Sequence, residues 1–201
     1  MNACFLRACH SAEDLPPPSL VEIAVAGRSN CGKSSLINAV TGQSRLAKTS
    51  STPGRTRQII YFHITPAGSG AQPFYLVDLP GYGYARAPRT EQQAWARLIN
   101  RYIDRRDPLA ALLLLGDIRR EPQREELDLL GWAAQRGLAT LVVLTKADKV
   151  TKSARFTAAR RAKEALGLAR RPLVFSVGDR QAVEELREAL LGLAGLSDAG
   201  R

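Results

Sequence analysis

One stretch of this sequence decides the fold: Gly27-Arg28-Ser29-Asn30-Cys31-Gly32-Lys33-Ser34, which fits the pattern G-x-x-x-x-G-K-[ST]. It follows the apolar run Val21–Ala26 and opens a helix-like segment, Ser35–Val40. In the order strand, loop, helix, this pattern cradles phosphates, because successive backbone N–H groups converge on the anion at a helix N-terminus. We therefore predict a polyphosphate site in which Lys33 reaches the β- and γ-phosphates and Ser34 holds Mg²⁺. The alternative is a chance glycine-rich turn.

The length of 201 residues predicts one domain, 1–201, in which residues 1–20 form a leading strand with a proline-rich lead-in and residues 197–201 a frayed tail. The three cysteines form no C-x-x-C pair and leave one odd thiol, which suits a reducing compartment. No apolar stretch approaches the about 20 residues that a membrane span needs. We expect a cytoplasmic protein without a membrane partner, and we expect a monomer.

The chain is strongly basic, with 29 Lys and Arg against 19 Asp and Glu and a formal net charge of +10. Arginine dominates this excess, and it occurs in clusters: Arg101, Arg105 and Arg106; Arg119 and Arg120; Arg155, Arg160 and Arg161; Arg170 and Arg171. Because arginine pairs with phosphates and stacks on bases, RNA is a predicted partner. The alternative is an ordinary solvated surface.

Apolar runs alternate with amphipathic ones along the chain. The predicted strands are Cys4–Ala8, Glu22–Ala26, Gln58–Thr65, Phe74–Asp78, Ala110–Asp117, Thr140–Thr145 and Leu173–Ser176. The predicted helices are Lys33–Val40, Thr90–Arg105, Arg124–Arg136, Ser153–Leu166 and Gln181–Leu193. The runs at 112–115 and 141–144 are continuously apolar, which is typical of strands covered on both faces. We predict a three-layer α/β fold with a mostly parallel sheet and helices on both faces.

One pair of predicted strands breaks the parallel pattern. Only a Pro/Gly/Ser-rich stretch, Pro66–Pro73, separates Gln58–Thr65 from Phe74–Asp78. Because that stretch is too short for a helical crossover, the two strands should form an antiparallel hairpin with an irregular loop.

A second predicted contact with the phosphates is Asp78-Leu79-Pro80-Gly81, at the end of the hairpin. A carboxylate that leaves the sheet on the side of the phosphate loop is placed to hold Mg²⁺ through water. The N–H of Gly81 can then approach the γ-phosphate and sense its presence. By itself the segment is an ordinary turn.

The third motif, Thr145-Lys146-Ala147-Asp148, ends a long apolar strand and predicts guanine recognition. Asp148 can accept both the ring N–H and the exocyclic amine of guanine, which adenine cannot offer. The aliphatic stem of Lys146 would lie along the base. After the last strand, the loop of Phe175, Ser176 and Val177 could direct a backbone N–H at the guanine oxygen. The alternative is a solvated Lys/Asp turn.

The loop at residues 47–57 contains hydroxyl groups and few apolar side chains. A threonine here could complete the Mg²⁺ shell, and spacing cannot choose between Thr52 and Thr56. The predicted nucleotide site includes part of this region, namely Gly54, Arg55, Thr56, Arg57 and Gln58.

Together the motifs resemble one family. Four segments resemble the EngB/YihA (YsxC) ribosome-biogenesis GTP-binding proteins, of the TrmE-Era-EngA-YihA-Septin-like superfamily: residues 27–38, 52–56, 78–85 and 145–148. The resemblance implies a P-loop GTPase fold, GTP and GDP as ligands, Mg²⁺, assembly of the large ribosomal subunit through its rRNA or proteins, and a link to cell division and septation. It favours Thr56 over Thr52 as the metal ligand beside Ser34.

The chain departs from that family at Cys31, where valine or alanine is usual; we expect intact binding and an added oxidisable thiol. Residues 116–119 and 66–73 also diverge, and residues 175–177 match loosely. Tyr82 stands where Ras-like enzymes place the glutamine that orients water, and Arg55 is the candidate for an arginine finger, so we expect slow hydrolysis stimulated by a partner or an ion. In related GTPases an asparagine at the position of Asn30 helps hold K⁺; the alternative is that Asn30 only bonds the loop backbone.

Three functions therefore compete. The favoured hypothesis is a GTP-controlled ribosome-assembly factor. One rival is a phosphoryl-transferring P-loop kinase, and the other is a nucleotide-stabilised RNA-binding module whose hydrolysis is incidental.

Overall fold

The computed structural model describes residues 1–48, 58–68, 70–83 and 89–195. Within these ranges the strands are β1 (Asn2–Cys9), β2 (Glu22–Gly27), β3 (Ile59–Thr65), β4 (Phe74–Asp78), β5 (Leu109–Asp117), β6 (Ala139–Thr145) and β7 (Leu173–Val174). They form one sheet in the order β1-β3-β4-β2-β5-β6-β7. The predicted α/β fold is confirmed.

The hairpin prediction is also confirmed. β3 and β4 pair antiparallel, with Ile60 opposite Asp78 and Ile64 opposite Phe74. β1 pairs antiparallel with the other side of β3. β3 is therefore the one described strand that runs against the other six, and the remaining neighbours are parallel.

Five α-helices cover the sheet in the described chain: α1 (Lys33–Thr41), α2 (Arg89–Arg105), α3 (Arg124–Gln135), α4 (Lys152–Ala165) and α5 (Arg180–Gly195). Each lies within two residues of its predicted bounds. The starts of two helices follow capping rules: Gln123 and Glu126 form a capping box on α3, and the Thr151 hydroxyl accepts from Ala154 N at the start of α4.

Successive side chains of the central strands point to opposite faces of the sheet and pack in two apolar cores. Ile23 and Val25 of β2 pack in a core with α1 and α5, whereas Ala24 and Ala26 pack in a second core with α2 and α3. The leucine run of β5 divides in the same way, because Leu112 and its neighbours through residue 115 are buried on both faces. This confirms the interpretation of the continuous apolar runs.

The predicted last strand, Leu173–Ser176, is two residues too long. The Phe175 N–H still donates to the Leu144 carbonyl at 2.8 Å, but the Phe175 carbonyl accepts from Ala147 N at 3.1 Å. The chain thus folds over the end of β6 and turns at Ser176, whose carbonyl accepts from Asp179 N. Phe175 and Val177 continue the apolar pattern beyond Val174, so the sequence pattern alone did not mark the end of the strand.

Across the ranges that the structure describes, no helix combines the length and the apolar character needed to cross a membrane.

Candidate nucleotide-binding site

The candidate site lies at the edge of the sheet where the parallel strands end. The phosphate loop follows β2, the segment 78–81 follows β4, and the segment 145–148 follows β6. The loop 175–178 follows β7. Because carboxyl ends of parallel strands share one edge, the fold brings together motifs that are far apart in sequence.

The phosphate loop depends on two glycines. A Cβ on Gly27 would lie 2.6 Å from Cys31 Sγ and 2.9 Å from the Leu115 carbonyl oxygen, so no larger residue fits there. Gly32 has a φ of 101°, in the left-handed region that favours glycine, and it stands immediately before α1. Asn30 also has a positive φ of 64°, which asparagine tolerates better than most residues.

The N-terminus of α1 is open to an anion. Its N-cap residue is Gly32, which has no side chain with which to cap the helix. Within the described chain, the N–H groups of Ser34 and Ser35 have no backbone acceptor, whereas the Lys33 N–H faces the Cys31 sulfur. The loop closes on itself through Cys31 N and the Arg28 carbonyl at 3.0 Å. Unpaired amides at a helix N-terminus bind phosphate oxygens, aided by the helix dipole.

Lys33 forms an ion pair with Asp78, and both side chains are largely buried. Burial raises the pKa of the Asp78 carboxyl, and the ammonium of Lys33 opposes that shift. The phosphate-loop lysine is thus held by the first residue of the second motif. An arriving phosphate would compete with Asp78 for this lysine.

A cavity of about 340 Å³ adjoins the phosphate loop. This volume falls in the range of small-molecule sites, which is roughly 300–1,000 Å³. Nine residues line it: Gly32, Ser35, Thr145, Lys146, Asp148, Phe175, Ser176, Val177 and Gly178. The structure therefore gathers the predicted guanine motif and the predicted last loop around one pocket, and it adds Ser35 and Gly178, which sequence reasoning missed.

The polar groups of this pocket match a base with donors and an acceptor. Asp148 is about half exposed, and its hydrogen bond from Lys149 lowers the pKa of its carboxyl, so it stays ionised at neutral pH. In the described chain the N–H groups of Ser176 and Val177 have no acceptor. Phe175 is buried and supports this loop from beneath, and Ala147 is held by the bond from its N–H to the Phe175 carbonyl.

Lys146 joins the two halves of the site. Its Nζ donates to the Asn30 carbonyl at 2.6 Å and lies 3.0 Å from Asp117 Oδ2. Its backbone has a φ of 60°, an uncommon conformation for lysine. The neighbouring Thr145 hydroxyl donates to the Cys31 carbonyl. The guanine motif is thereby tied directly to the phosphate loop.

Asp117 is a supporting residue that sequence reasoning missed, because residues 116–119 looked only divergent. Burial opposes its ionisation, but hydrogen bonds from Arg119 and Lys146 outweigh burial and hold the pKa of its carboxyl below the ordinary value. Arg119 contacts both carboxylate oxygens, at 2.8 and 2.7 Å. The signal available in the sequence was an acidic residue at the end of a buried strand.

Tyr82 is held away from any water-orienting role. Its hydroxyl donates to Glu126 Oε1 at 3.0 Å, and its ring packs on Trp95 with centroids 5.2 Å apart. The indole N–H of Trp95 donates to the Pro80 carbonyl at 2.7 Å. The segment after β4 is thus anchored on α2 and α3, and the tyrosine side chain points into the protein.

The backbone of the same segment touches the phosphate loop. Ser29 N donates to the Tyr82 carbonyl at 2.8 Å, and Tyr82 N lies 3.4 Å from the Gly27 carbonyl. The guanidinium of Arg28 lies 3.4 Å from the Gly83 carbonyl, Gly81 packs on Ser29, and Leu79 is fully buried. Arg28 and Ser29 therefore contact the segment 79–83.

The structure does not place several predicted residues at the site. Thr52, Gly54, Arg55, Thr56 and Arg57 fall outside the described residues. Gln58 places its amide 2.5 Å from His10 Nε2, at the far side of β3 from the cavity. Their membership in the site stays a prediction.

Cys31 is 3% exposed, and burial raises the pKa of its thiol to about 11. The thiol stays protonated at neutral pH and is shielded by the loop. This differs from the expectation of an oxidisable thiol, because the sequence gives the position of the cysteine but not its burial.

Comparisons with known proteins agree with this geometry. The profile of a family described as 50S ribosome-binding GTPase matches residues 22–146. A probable GTP-binding protein EngB of Syntrophotalea carbinolica is 43% identical over 190 residues, covering 94% of this chain and 89% of the relative. The chain belongs to the EngB family of GTP-binding proteins. It is a GTPase, and the kinase alternative is set aside.

Further relatives extend over nearly the whole chain. A probable GTP-binding protein EngB of Stenotrophomonas maltophilia is 40% identical and covers 97% of this chain and 96% of its own. The solved structure of a probable GTP-binding protein EngB has a TM-score of 0.66 at 22% identity, covering 87% of this chain and 98% of that one. Aquifex aeolicus Era bound to GDP and AlF4⁻ has a TM-score of 0.69 at 17% identity, covering 87% and 57%. These two structures agree on the fold.

Proposed function

We propose that this protein is a GTP-controlled switch that acts in assembly of the large ribosomal subunit in the cytoplasm, and that normal cell division depends on it. The family description names a 50S ribosome-binding GTPase, and the relatives are EngB proteins. The observation that carries the switch is the contact of Tyr82 and Ser29, because it joins the segment 78–83 to the phosphate loop. A ligand that reorganises one must move the other.

The proposed switch starts from the pair of Lys33 and Asp78. When the triphosphate occupies the open N-terminus of α1, Lys33 turns to the phosphates and leaves Asp78. The carboxylate must then find another cation or take a proton, because burial disfavours its ionised form. GDP also brings a β-phosphate to Lys33, so the difference between the two nucleotides lies in the γ-phosphate, which the N–H of Gly81 can approach.

Mg²⁺ fits the oxygen donors available here. Ser34 offers a hydroxyl without a hydrogen-bond partner among the described residues, and Asp78 offers a carboxylate; both are hard oxygen ligands of the kind Mg²⁺ prefers. We propose Ser34 and Thr56 as direct ligands and Asp78 as a partner through water. Bound Mg²⁺ would neutralise charge on the β- and γ-phosphates.

Slow intrinsic hydrolysis belongs to the same proposal. Because the Tyr82 hydroxyl is bonded to Glu126, it cannot orient water. The side-chain amide of Asn30 is exposed and makes no hydrogen bond within the described chain, which favours its role as a K⁺ ligand over bonding of the loop backbone. We expect K⁺ to accelerate turnover over Na⁺, and we expect Asn30→Ala to remove the difference. Equal rates in the two salts would contradict the K⁺ role.

Co-sedimentation with purified large ribosomal subunits tests the switch. The protein should pellet with subunits in the presence of a non-hydrolysable GTP analogue and remain largely in the supernatant with GDP. Lys33→Ala, which removes the phosphate contact, should abolish the difference. Binding that is equal in both nucleotides would favour the passive RNA-binding module.

A further inference from the structure

A basic face lies on α4 and the turn that follows it. Residues 152–171 hold seven basic side chains and a single acidic one, so more than half of the net charge of +10 is on this segment. The basic residues are Lys152, Arg155, Arg160, Arg161, Lys163, Arg170 and Arg171. Charge concentrated on one helix is the electrostatic pattern of a polyanion-binding surface.

The exposed side of α4 also contains an aromatic ring. Lys152, Phe156 and Arg160 are spaced four residues apart and therefore share one side of the helix. Phe156 is 56% exposed, and the guanidinium carbon of Arg171 lies 4.4 Å from its ring centroid. A solvent-exposed ring under a guanidinium plane offers a flat surface on which an unpaired base can stack. We call Lys152, Phe156, Arg160, Lys163, Arg170 and Arg171 the α4 face.

Most of the charge on this face is free to meet a ligand. Arg160 pairs with Glu164 at 3.8 Å, but both side chains are more than half exposed, so this pair is weak. Among the described residues, Lys152, Lys163, Arg170 and Arg171 have no carboxylate partner. Few ion pairs within the described chain would therefore have to break before phosphates bind here.

The α4 face is firmly attached to the guanine pocket. Arg155 Nε donates to the Ala147 carbonyl at 2.9 Å, which links α4 to the residue beside Asp148. The inner side of α4 packs through Ala159 and Ala162 against Leu144. The helix α4 is therefore held beside the guanine motif, whereas the segment 78–83 contacts the phosphate loop.

We propose that the α4 face binds an unpaired segment of RNA, with its lysines and arginines on the phosphates and one base stacked on Phe156. This inference deepens the proposed function, on which it rests, by naming the surface that contacts RNA. Since none of its residues touches the phosphate loop or the segment 78–83, its affinity for RNA is the same with GDP and with GTP. The α4 face contributes the part of subunit binding that does not depend on the nucleotide, and the segment 78–83 contributes the part that does.

Fluorescence anisotropy with two labelled RNAs tests the α4 face: an unstructured oligouridylate and a duplex with the same number of phosphates. Phe156→Ala should weaken binding of the oligouridylate about tenfold, with a much smaller effect on the duplex, because a duplex offers no unstacked base. Arg171→Ala should weaken both and reduce the salt slope by about one. The matched control is Arg97→Ala, which removes one charge from an exposed site on α2 and should change neither.

Phe156→Leu keeps an apolar side chain without the ring, so it should weaken oligouridylate binding as much as Phe156→Ala does. An unchanged affinity for GDP shows that each variant is folded. Variants that bind RNA as tightly as Arg97→Ala would overturn the proposal. Variants that still bind RNA but no longer bind the large subunit would also overturn it, because the α4 face would then contact a ribosomal protein. If the unsubstituted protein binds the large subunit equally well with GDP and with GTP, the switch is wrong. The RNA binding of the α4 face is not affected by that outcome.

Discussion

At the scale of single residues, Tyr82 shows how one side chain limits the chemistry. Its hydroxyl is used inside the protein, on Glu126, and its ring is packed on Trp95. Burial and the carboxylate of Glu126 raise the pKa of Tyr82, so it is a neutral donor at every physiological pH. The residue therefore stabilises the position of the segment after β4 and does not take part in proton transfer.

Replacing Tyr82 by phenylalanine should separate stability from catalysis. The variant loses a buried hydrogen bond to a carboxylate, which costs about 1–3 kcal/mol of unfolding free energy. GTP turnover should not change, because the lost hydroxyl does not reach the nucleotide. Thermal unfolding and single-turnover hydrolysis check these two outcomes, and a variant with normal stability and altered turnover would refute the assignment.

The cysteines differ in environment in a way that a thiol reagent can measure. Cys4 is exposed, whereas Cys9 and Cys31 are buried and burial raises the pKa of both thiols. We expect one rapidly reacting thiol per native chain in mildly alkaline buffer, and all of them after unfolding. Cys4→Ser should abolish the rapid phase; fast modification of the native Cys4→Ser protein would contradict the burial of Cys9 and Cys31.

At the scale of elements, the link from β5 to β6 and the phosphate loop is the least expected feature. Asp117 at the end of β5 holds Lys146 after β6, and Lys146 holds the Asn30 carbonyl. Three elements are thus fixed relative to one another before any ligand arrives. Such support reduces the ordering that nucleotide binding must impose.

Asp117→Asn should weaken GDP binding about tenfold, because Lys146 loses the charged partner that positions it. In the folded protein the pKa of Asp117 is held below its ordinary value of 3.8. Ionised Asp117 therefore stabilises the folded state fully above pH 3.8. This stabilisation is lost as the pH falls from 3.8 through the lower pKa of the folded state. The variant should therefore lose less stability on acidification than the unsubstituted chain.

Nucleotide titration and acid unfolding measure these effects of Asp117→Asn. Asp128→Asn, which changes an exposed acid on α3, is the matched control and should behave like the unsubstituted chain. Normal GDP affinity in Asp117→Asn would exclude the supporting role of this carboxylate.

The sequence predicted the elements well because their signals are local. Helix periodicity, continuous apolar runs and the short link 66–73 sufficed for the layers and for the hairpin. It did not predict the early end of β7, the burial of Cys31 or the role of Asp117. Each of these depends on contacts between distant segments, such as the bond of Ala147 N to the Phe175 carbonyl, which no local pattern records.

At the scale of the whole molecule, the two ends of the parallel strands have different roles. The carboxyl edge holds the open helix N-terminus, the cavity and the Lys146 link. At the amino end of β2, Glu22 is fully buried and binds Arg106 at 2.9 Å and the hydroxyls of Tyr61 and Tyr102 at 3.1 and 2.7 Å. This network links β2, β3 and α2 at the edge of the sheet opposite the candidate nucleotide site. It therefore holds in place the strands whose other ends carry that site.

We infer that one pocket at the carboxyl edge of the sheet binds phosphates at the start of α1 and recognises guanine through Asp148. Nucleotide competition against Asp148→Asn tests it most directly. In the unsubstituted chain, GTP should displace a bound fluorescent GDP and ATP should not. Asparagine presents an N–H donor to the exocyclic amine of guanine, which needs an acceptor, so the variant should lose GTP affinity about a thousandfold or more. It should gain affinity for xanthosine triphosphate, whose base has a carbonyl in place of that amine. A variant that still prefers GTP, or an unsubstituted chain that binds ATP equally well, would contradict guanine recognition by Asp148.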